Sequence, residues 1–421
     1  MDKYIINGGK RLEGVIDVPC AKNSYLAILA GCVLSSGIVC LRNCPNFEDV
    51  EKMIAILNDL GCIIERKDKD LILDCRNINN YIVSNELAQK IRSSIFLLGP
   101  ILARLKRAVV SYPGGCDIGA RPIDLHLKGL RSLNVYIKEF HGIIECDACK
   151  IKGNKVHLDY PSVGTTENVM MAAVLSKGIT KIYNAAKEPE VVDLQNFINK
   201  MGGKISGAGT DIITIIGVKS LGSVEYQPIS DRIIAGTYLL ATACCGGDVT
   251  IKNVESEHIY SLIHKLENAG SEIKINNDTI RLTSNSKLQT FKSLQTMPYP
   301  GFPTDLQPQT MVLQTISNGT CVLTENLFET RYKHVPELIK MGADITVQDR
   351  ISIITGVKKL YGAEVNCYDL RAGAALTIAG LCAEGRTTVK NVHNIDRGYE
   401  KLEQAFSSLG ADIIRETCID E

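Results

Sequence analysis

Cys116 is a residue whose setting asks for a chemical explanation. It stands in YPGGCDIGARP, among Gly114, Gly115 and Gly119, with Arg121 just beyond and Asp117 beside it. Glycines let a backbone approach a ligand closely, and a thiol near an arginine gains thiolate character. A small apolar filler next to a turn is the plainer alternative. Four further charged residues fall where helices begin: Lys22 in PCAKNSYL, Arg92 in AQKIRSSI, Asp305 in FPTDLQPQ and Arg371 in YDLRAGAAL. Unpaired N–H groups and the positive dipole end make a helix N-terminus a ready anion site. Each position also has an ordinary reading. Asn23 would cap its helix and leave Lys22 exposed. Arg92 and Arg371 would pair with Glu86 and Asp369, and Thr304-Asp-Leu-Gln307 would form a capping box. Arg121, held extended by Pro122, Arg331 in ETRYKHVPEL and Arg397 in HNIDRGYEKL lie at later turns; taken singly, each reads as a surface arginine.

The elements that must position these residues repeat along the chain. SSGIVCLRN, RLKRAVVSY, SKGITKIYN, CGGDVTIKN, SNGTCVLTE and AEGRTTVKN each carry a helix end through a small turn into a β-branched strand. Their markers Gly37, Arg107, Gly178, Gly247, Gly319 and Gly385 lie about 70 residues apart, as do Gly61, Asn134, Gly202, Gly270, Gly342 and Gly410, which close a second helix in each unit. Two independent markers with one period define a repeat. The reading is six α/β units, strand–helix–strand–helix–strand, each with a helix C-cap at the second marker. Six units exceed one core, so three per domain is the economical grouping, with the boundary near residues 220–230. Lys22, Arg92, Gly164, Asp231, Asp305 and Arg371 occupy equivalent places, and their helix N-termini are expected to converge on an interdomain space.

Composition sets the remaining bounds. With 47 basic and 47 acidic residues the net charge is zero, so no global field recruits nucleic acid or a membrane surface. The apolar run 26–41 is interrupted by Gly31, Ser35, Ser36 and Gly37 and falls short of the roughly 20 residues of a bilayer span. It reads as a buried helix, a turn and a strand in a cytoplasmic protein. Fifteen cysteines, an odd number, read mostly as reduced core residues, and Cys146–Cys149 as a strand or hairpin pair. No Walker motif, dinucleotide fingerprint or metal-ligand histidine spacing is present. The residues alone therefore reach a two-domain, enzyme-like protein with a cationic cleft for phosphorylated ligands. They leave the reaction open.

The combination AKN (21–23), PGGCDIGARPIDLH (113–126), PSVGTTEN (161–168), EPEVVDL (188–194), PGFPTDLQ (300–307), ETRYKHVPELIKMGAD (329–344), DLRAG (369–373) and HNIDRGYE (393–400) resembles the enolpyruvyl transferases, in the branch acting on UDP-N-acetylglucosamine. The resemblance spans essentially the whole chain. It implies two inside-out α/β barrels, with residues 22–229 as one domain, residues 1–21 and 230–421 as the other, the chain crossing twice and the active site in the cleft. It also implies transfer of the enolpyruvyl group of phosphoenolpyruvate to the sugar 3'-hydroxyl with release of phosphate, as the first committed step of peptidoglycan synthesis, with no metal or other cofactor. Cys116 matches the acid that protonates the methylene carbon and is alkylated by fosfomycin. Lys22, Arg121 and Arg397 match the phosphoenolpyruvate clamp, and Asn23, Arg92, Arg331 and Arg371 line the same cleft. Arg121, Pro122, Ile123, Asp124 and Leu125, with Ser162, Val163 and Gly164, match the uridine-nucleotide site. Asp305 matches the residue meeting the 3'-hydroxyl, and Leu327 a further sugar contact. Cys20, Asp117 and Tyr160 depart from the family's usual residues. The shikimate-pathway sister enzymes share the fold but lack the PGGC loop. A catalytically silent UDP-sugar-binding paralogue is the alternative of another class.

Overall fold

Five helices have no solvent face; three of them are apolar almost all round, while Val163–Ala173 and Gln307–Ile316 also bury polar residues such as Glu167, Asn168, Gln307 and Gln309. Lys22–Cys32, Val163–Ala173, Arg232–Cys245, Gln307–Ile316 and Leu370–Cys382 are buried along almost their whole length. By contrast, Glu48–Asp59, Pro189–Lys200 and Tyr260–Ala269 alternate buried and exposed positions, with charged residues on the outer face. The computed structural model describes residues 2–114 and 123–417. Cys116, Asp117, Arg121 and Pro122 lie outside the described residues.

Among the described residues the strands form six open sheets, none closed into a barrel, in a mixed α/β architecture. Five have four strands with one pattern: a parallel pair, then two antiparallel neighbours. In one, Lys155–His157 lies parallel to Ile179–Tyr183, joined by the buried helix Val163–Ala173. Ile212–Ile216 and Ile205–Ser206 complete it antiparallel. Ser293–Gln295, Thr320–Thr324, Ile351–Thr355 and Asp344–Gln348 repeat the arrangement. The sixth sheet has three strands, with an isolated parallel bridge from Ile82 to Val109 where the fourth would lie. The expected strand–helix–strand–helix–strand unit thus ends in a hairpin, not in a single strand. Turns such as KDKD between IIER and LILD split the last run into two pairing strands.

The second set of markers sits at helix ends with left-handed backbone: φ is +99° at Gly61, +63° at Asn134, +104° at Gly202, +108° at Gly270, +94° at Gly342 and +92° at Gly410. That region costs glycine no strain and tolerates asparagine. In the first set, Arg107 is preceded by Lys106, which itself takes the left-handed turn at φ +63°.

The chain divides into two units, residues 20–114 with 123–229, and residues 2–19 with 230–417. In the first, Ala21 N–H donates to Ile229 O at 2.7 Å; in the second, Asp231 N–H donates to Pro19 O at 2.9 Å. The segment 26–41 forms the end of the helix Lys22–Cys32, a turn and the strand Ile38–Leu41. No described helix is long and apolar enough to cross a membrane.

Candidate functional site

In the unit of residues 20–229, Lys22 is the first residue of its helix and lies buried. Ala21 holds the cap position without a side-chain bond, and Asn23 is exposed one residue inside. The expected Asn23 cap with an exposed lysine is therefore wrong. A lysine at the positive end of a helix dipole is unfavourable, and Asp49 compensates: its Oδ2 lies 2.6 Å from Lys22 Nζ, with both side chains under 10% exposed. Asp49 comes from the first turn of Glu48–Asp59, where an acid is favoured for local reasons alone.

Arg92 begins the short helix Arg92–Leu97 and is half-buried. Glu86, its expected partner, pairs with Lys90 at 2.6 Å instead, one helical turn away. Ser162 caps the helix Val163–Ala173, its Oγ accepting from Thr165 N–H. Ser162, Val163 and Gly164 are all part-exposed. Gly164 leaves no room for a side chain unless its neighbours shift: a Cβ there would lie 2.7 Å from Phe96 Cε1 and 3.1 Å from His126 Cε1. Buried Asn168 of the same motif donates to Ile95 O at 2.8 Å and lies 3.0 Å from His126 Nδ1, while its Oδ1 accepts from Gly99 N–H. Ile123 is buried, Asp124 exposed and Leu125 half-buried at the start of Asp124–Ser132. Tyr160 is exposed. Cys20 is buried, its Sγ 3.5 Å from Pro228 O.

The unit of residues 230–417 builds a tighter cluster. Asp305 lies in the short turn Thr304–Leu306 that leads into Gln307–Ile316, a turn whose cap position makes no side-chain bond, so the capping box does not form. Its Oδ1 accepts from Arg331 Nη2 and its Oδ2 from Arg371 Nη2, both at 3.0 Å. Arg331 and Arg371 are almost wholly buried, so Arg331 is no surface residue, while about a quarter of the Asp305 side chain stays accessible. Asp369, the expected partner of Arg371, instead caps the helix, accepting from the backbone N–H groups of Arg371 and Ala372. Burial works against the Arg371 charge, but Asp305, Tyr399 and Asp231 together outweigh it and hold the guanidinium above its ordinary value.

Tyr399, buried, supports Arg371 from behind. Its hydroxyl accepts from Arg371 Nη1 at 3.3 Å and meets Thr237 Oγ1 at 2.8 Å, and its ring centroid lies 5.6 Å from the guanidinium carbon. His334 is fully buried near Arg331 and Asp369; burial pushes it down to about 4, so the ring is neutral at pH 7. Arg397 is half-buried at the end of the short helix His393–Asp396, and Leu327 half-buried after the strand Thr320–Thr324. Sequence reading missed Asp49, Tyr399, His334 and Glu325. Tyr399 and His334 stood inside quoted motifs, and an acid in a first helical turn gave Asp49 only a local explanation. Cys146 is buried in the strand Ile143–Asp147 and Cys149 exposed after it. No group of three or more metal-ligating side chains occurs among the described residues.

The two arginines orient the Asp305 carboxylate, about a quarter of which stays accessible. Lys22 and Asp49 present a fixed ammonium.

The family model described as EPSP synthase (3-phosphoshikimate 1-carboxyvinyltransferase) matches residues 6–406. A protein named UDP-N-acetylglucosamine 1-carboxyvinyltransferase 2, from Caldanaerobacter subterraneus subsp. tengcongensis, is 52% identical, over 99% of this chain and 100% of its own. UDP-N-acetylglucosamine 1-carboxyvinyltransferase 1 of Carboxydothermus hydrogenoformans is 49% identical, over 99% of this chain and 98% of its own. Among solved structures, the enolpyruvyl transferase NikO from Streptomyces tendae matches with a TM-score of 0.90 over 99% of both chains at 23% identity, a likeness of fold.

Proposed function

The chain belongs to the enolpyruvyl transferase family whose model is named for EPSP synthase, and from that premise we propose that it transfers the enolpyruvyl group of phosphoenolpyruvate to the 3'-hydroxyl of UDP-N-acetylglucosamine, releasing phosphate in peptidoglycan synthesis. The observation that carries the choice of acceptor is the near-50% identity over whole chains to proteins named for that sugar nucleotide; the family model alone is named for the shikimate acceptor.

In this reading Asp305 takes the proton of the 3'-hydroxyl as its oxygen bonds to C2 of phosphoenolpyruvate, and Cys116 gives a proton to C3. The tetrahedral adduct then loses a proton from C3 as the C2–O bond to phosphate breaks, restoring the vinyl group. An acid and a base placed on opposite ends of a double bond are what the addition needs. Lys22, Arg121 and Arg397 bind the phosphate and carboxylate, with Asn23, Arg331 and Arg371 beside them, because a multiply charged substrate needs several fixed cations. Arg92, Arg121, Pro122, Ile123, Asp124, Leu125, Ser162, Val163, Gly164 and Leu327 hold the sugar nucleotide. Cys116 is then also the fosfomycin target. The fold belonging to this reading is six copies of one unit, three per domain, arranged as inside-out barrels in residues 22–229 and in residues 1–21 with 230–421. The recurring sheet pattern and the interior helices support it. The working compartment is the cytoplasm.

The test is phosphate release from phosphoenolpyruvate with UDP-N-acetylglucosamine, with and without fosfomycin. Release with the sugar nucleotide, abolished by fosfomycin, is the expected result. Release only with shikimate-3-phosphate overturns the acceptor, and UDP-sugar binding without turnover overturns the activity.

A further inference from the structure

Glu325 is a fully buried carboxylate at the end of the strand Thr320–Thr324. Its Oε1 accepts from Thr296 Oγ1 at 2.8 Å, Leu327 N–H at 2.9 Å and Phe328 N–H at 3.2 Å, and its Oε2 accepts from Thr304 Oγ1 at 2.9 Å. These four donors belong to three separate stretches of chain. Thr304 precedes Asp305. Leu327 and Phe328 open the segment that runs on to Arg331, whose guanidinium carbon lies 6.0 Å from the centre of the Phe328 ring. Thr296 follows the strand Ser293–Gln295, and its own Oγ1 accepts from Asn326 N–H at 2.9 Å.

The connections close a ring: Asp305 to Thr304 through the chain, Thr304 to Glu325, Glu325 to the 327–328 amides, along the chain to Arg331, and from Arg331 Nη2 back to Asp305 Oδ1 at 3.0 Å. Glu325 therefore grips both sides of the Asp305–Arg331 pair. A carboxylate orients hydrogen-bond donors more strongly than a neutral acceptor does, and four bonds to one buried carboxylate hold the three stretches in place relative to one another.

We propose that Glu325 is a positioning residue for the vinyl transfer, setting through Thr304 and the 327–328 amides where the Asp305 carboxylate meets the acceptor hydroxyl. This rests on the reading of Asp305 given above. Glu325 touches no substrate; it fixes the distance and direction of the residue that does, and misplacing a reacting group by about 1 Å costs on the order of a hundredfold in rate.

The cleanest probe is Thr304→Val, which removes one bond to Glu325 at nearly constant volume and leaves the other three. Expected are a fall in kcat of about tenfold or more, a smaller change in KM for phosphoenolpyruvate, an ordinary cooperative melt, and recovery to near wild-type kcat in Thr304→Ser. Glu325→Gln, offering a neutral oxygen, is expected to fall between. A crystal structure of Thr304→Val is expected to show the Asp305 carboxylate moved off Arg331. Unchanged kcat in folded Thr304→Val, no recovery in Thr304→Ser, or an unmoved carboxylate in that structure overturns the proposal. Absence of phosphate release by the wild-type protein overturns the proposed activity instead, and the carboxylate's position in the variant crystal still decides the role of Glu325.

Discussion

Each unit sets a buried cation at the start of an interior helix, and the two neutralise it differently. In residues 20–229, Lys22 Nζ lies 2.6 Å from Asp49 Oδ2. In residues 230–417, two arginines share Asp305, one on each oxygen, and Glu325 and Tyr399 brace the arrangement. The difference follows side-chain chemistry. An ammonium is a compact point charge with no preferred plane, whereas a guanidinium is a planar fork that holds a carboxylate in a set direction. The first unit thus carries a buried point charge beside one carboxylate, and the second a carboxylate aimed by two planar neighbours.

The largest effect expected from breaking this comparison is at Asp305. Asp305→Asn keeps the shape but removes the proton acceptor and the shared counter-charge. Turnover at saturating substrates should fall by between about a hundredfold and ten thousandfold, read as phosphate release. Near-normal turnover would reduce Asp305 to a structural link between two arginines. Asp49→Asn comes next. Lys22 would stay charged and buried with a neutral neighbour, so stability should drop by up to about 3 kcal/mol, measured by denaturant unfolding. Saturating phosphoenolpyruvate should return part of that loss through binding to the native state. Unchanged stability would mean that Lys22 does not depend on Asp49.

How much of this was legible in the sequence depends on range. The starts of the interior helices could be read, because Lys22, Asp305 and Arg371 recur in step with the glycine turns. Their partners could not. A reader looking for a carboxylate near Arg371 finds Asp369, two residues away, but the side chain reaches Asp305 across 66 positions, and Arg331 reaches it across 26. Asp369 was already committed to the helix cap. Glu325 left little trace, since a glutamate after CVLT with no basic neighbour reads as a solvent-facing strand end. Its four donors come together only when the strands pair. The terminal hairpins were missed for a related reason: a hydrophobic period of two shows strands but not where one turns back to pair with the next.

His334 sharpens the comparison through pH. Its folded value of about 4 lies below the ordinary 6.5, because burial, helped by the Arg331 charge, disfavours the imidazolium more than the nearby Asp369 favours it. Between those values the unfolded chain binds a proton that the native one does not, so this contribution to stability is complete above pH 6.5 and is lost as pH falls toward 4. From pH 7 to pH 5 the wild-type protein should lose on the order of 2 kcal/mol more than His334→Phe. Parallel pH profiles for the two proteins would show that this histidine does not carry the titration.

The smallest expected effect is at Tyr399, and it tests whether bracing, as distinct from charge, sets the second unit apart. Tyr399→Phe leaves the ring under Arg371 and both bonds to Asp305 in place. It removes only the hydroxyl, which accepts from Arg371 Nη1 and Gln309 Nε2 and meets Thr237. Thr237 keeps its bond to Ile233 O at 2.8 Å, so one side of the network survives. Gln309 and Thr237 also keep their bond to each other at 3.3 Å, so the net loss is close to that of the one bond from Arg371, about 1 kcal/mol, and turnover should fall a few-fold with binding of the sugar nucleotide little changed. A fall as large as that of Asp305→Asn would mean that Arg371 depends on Tyr399 for its place. No fall would mean that the shared carboxylate alone aligns the two arginines.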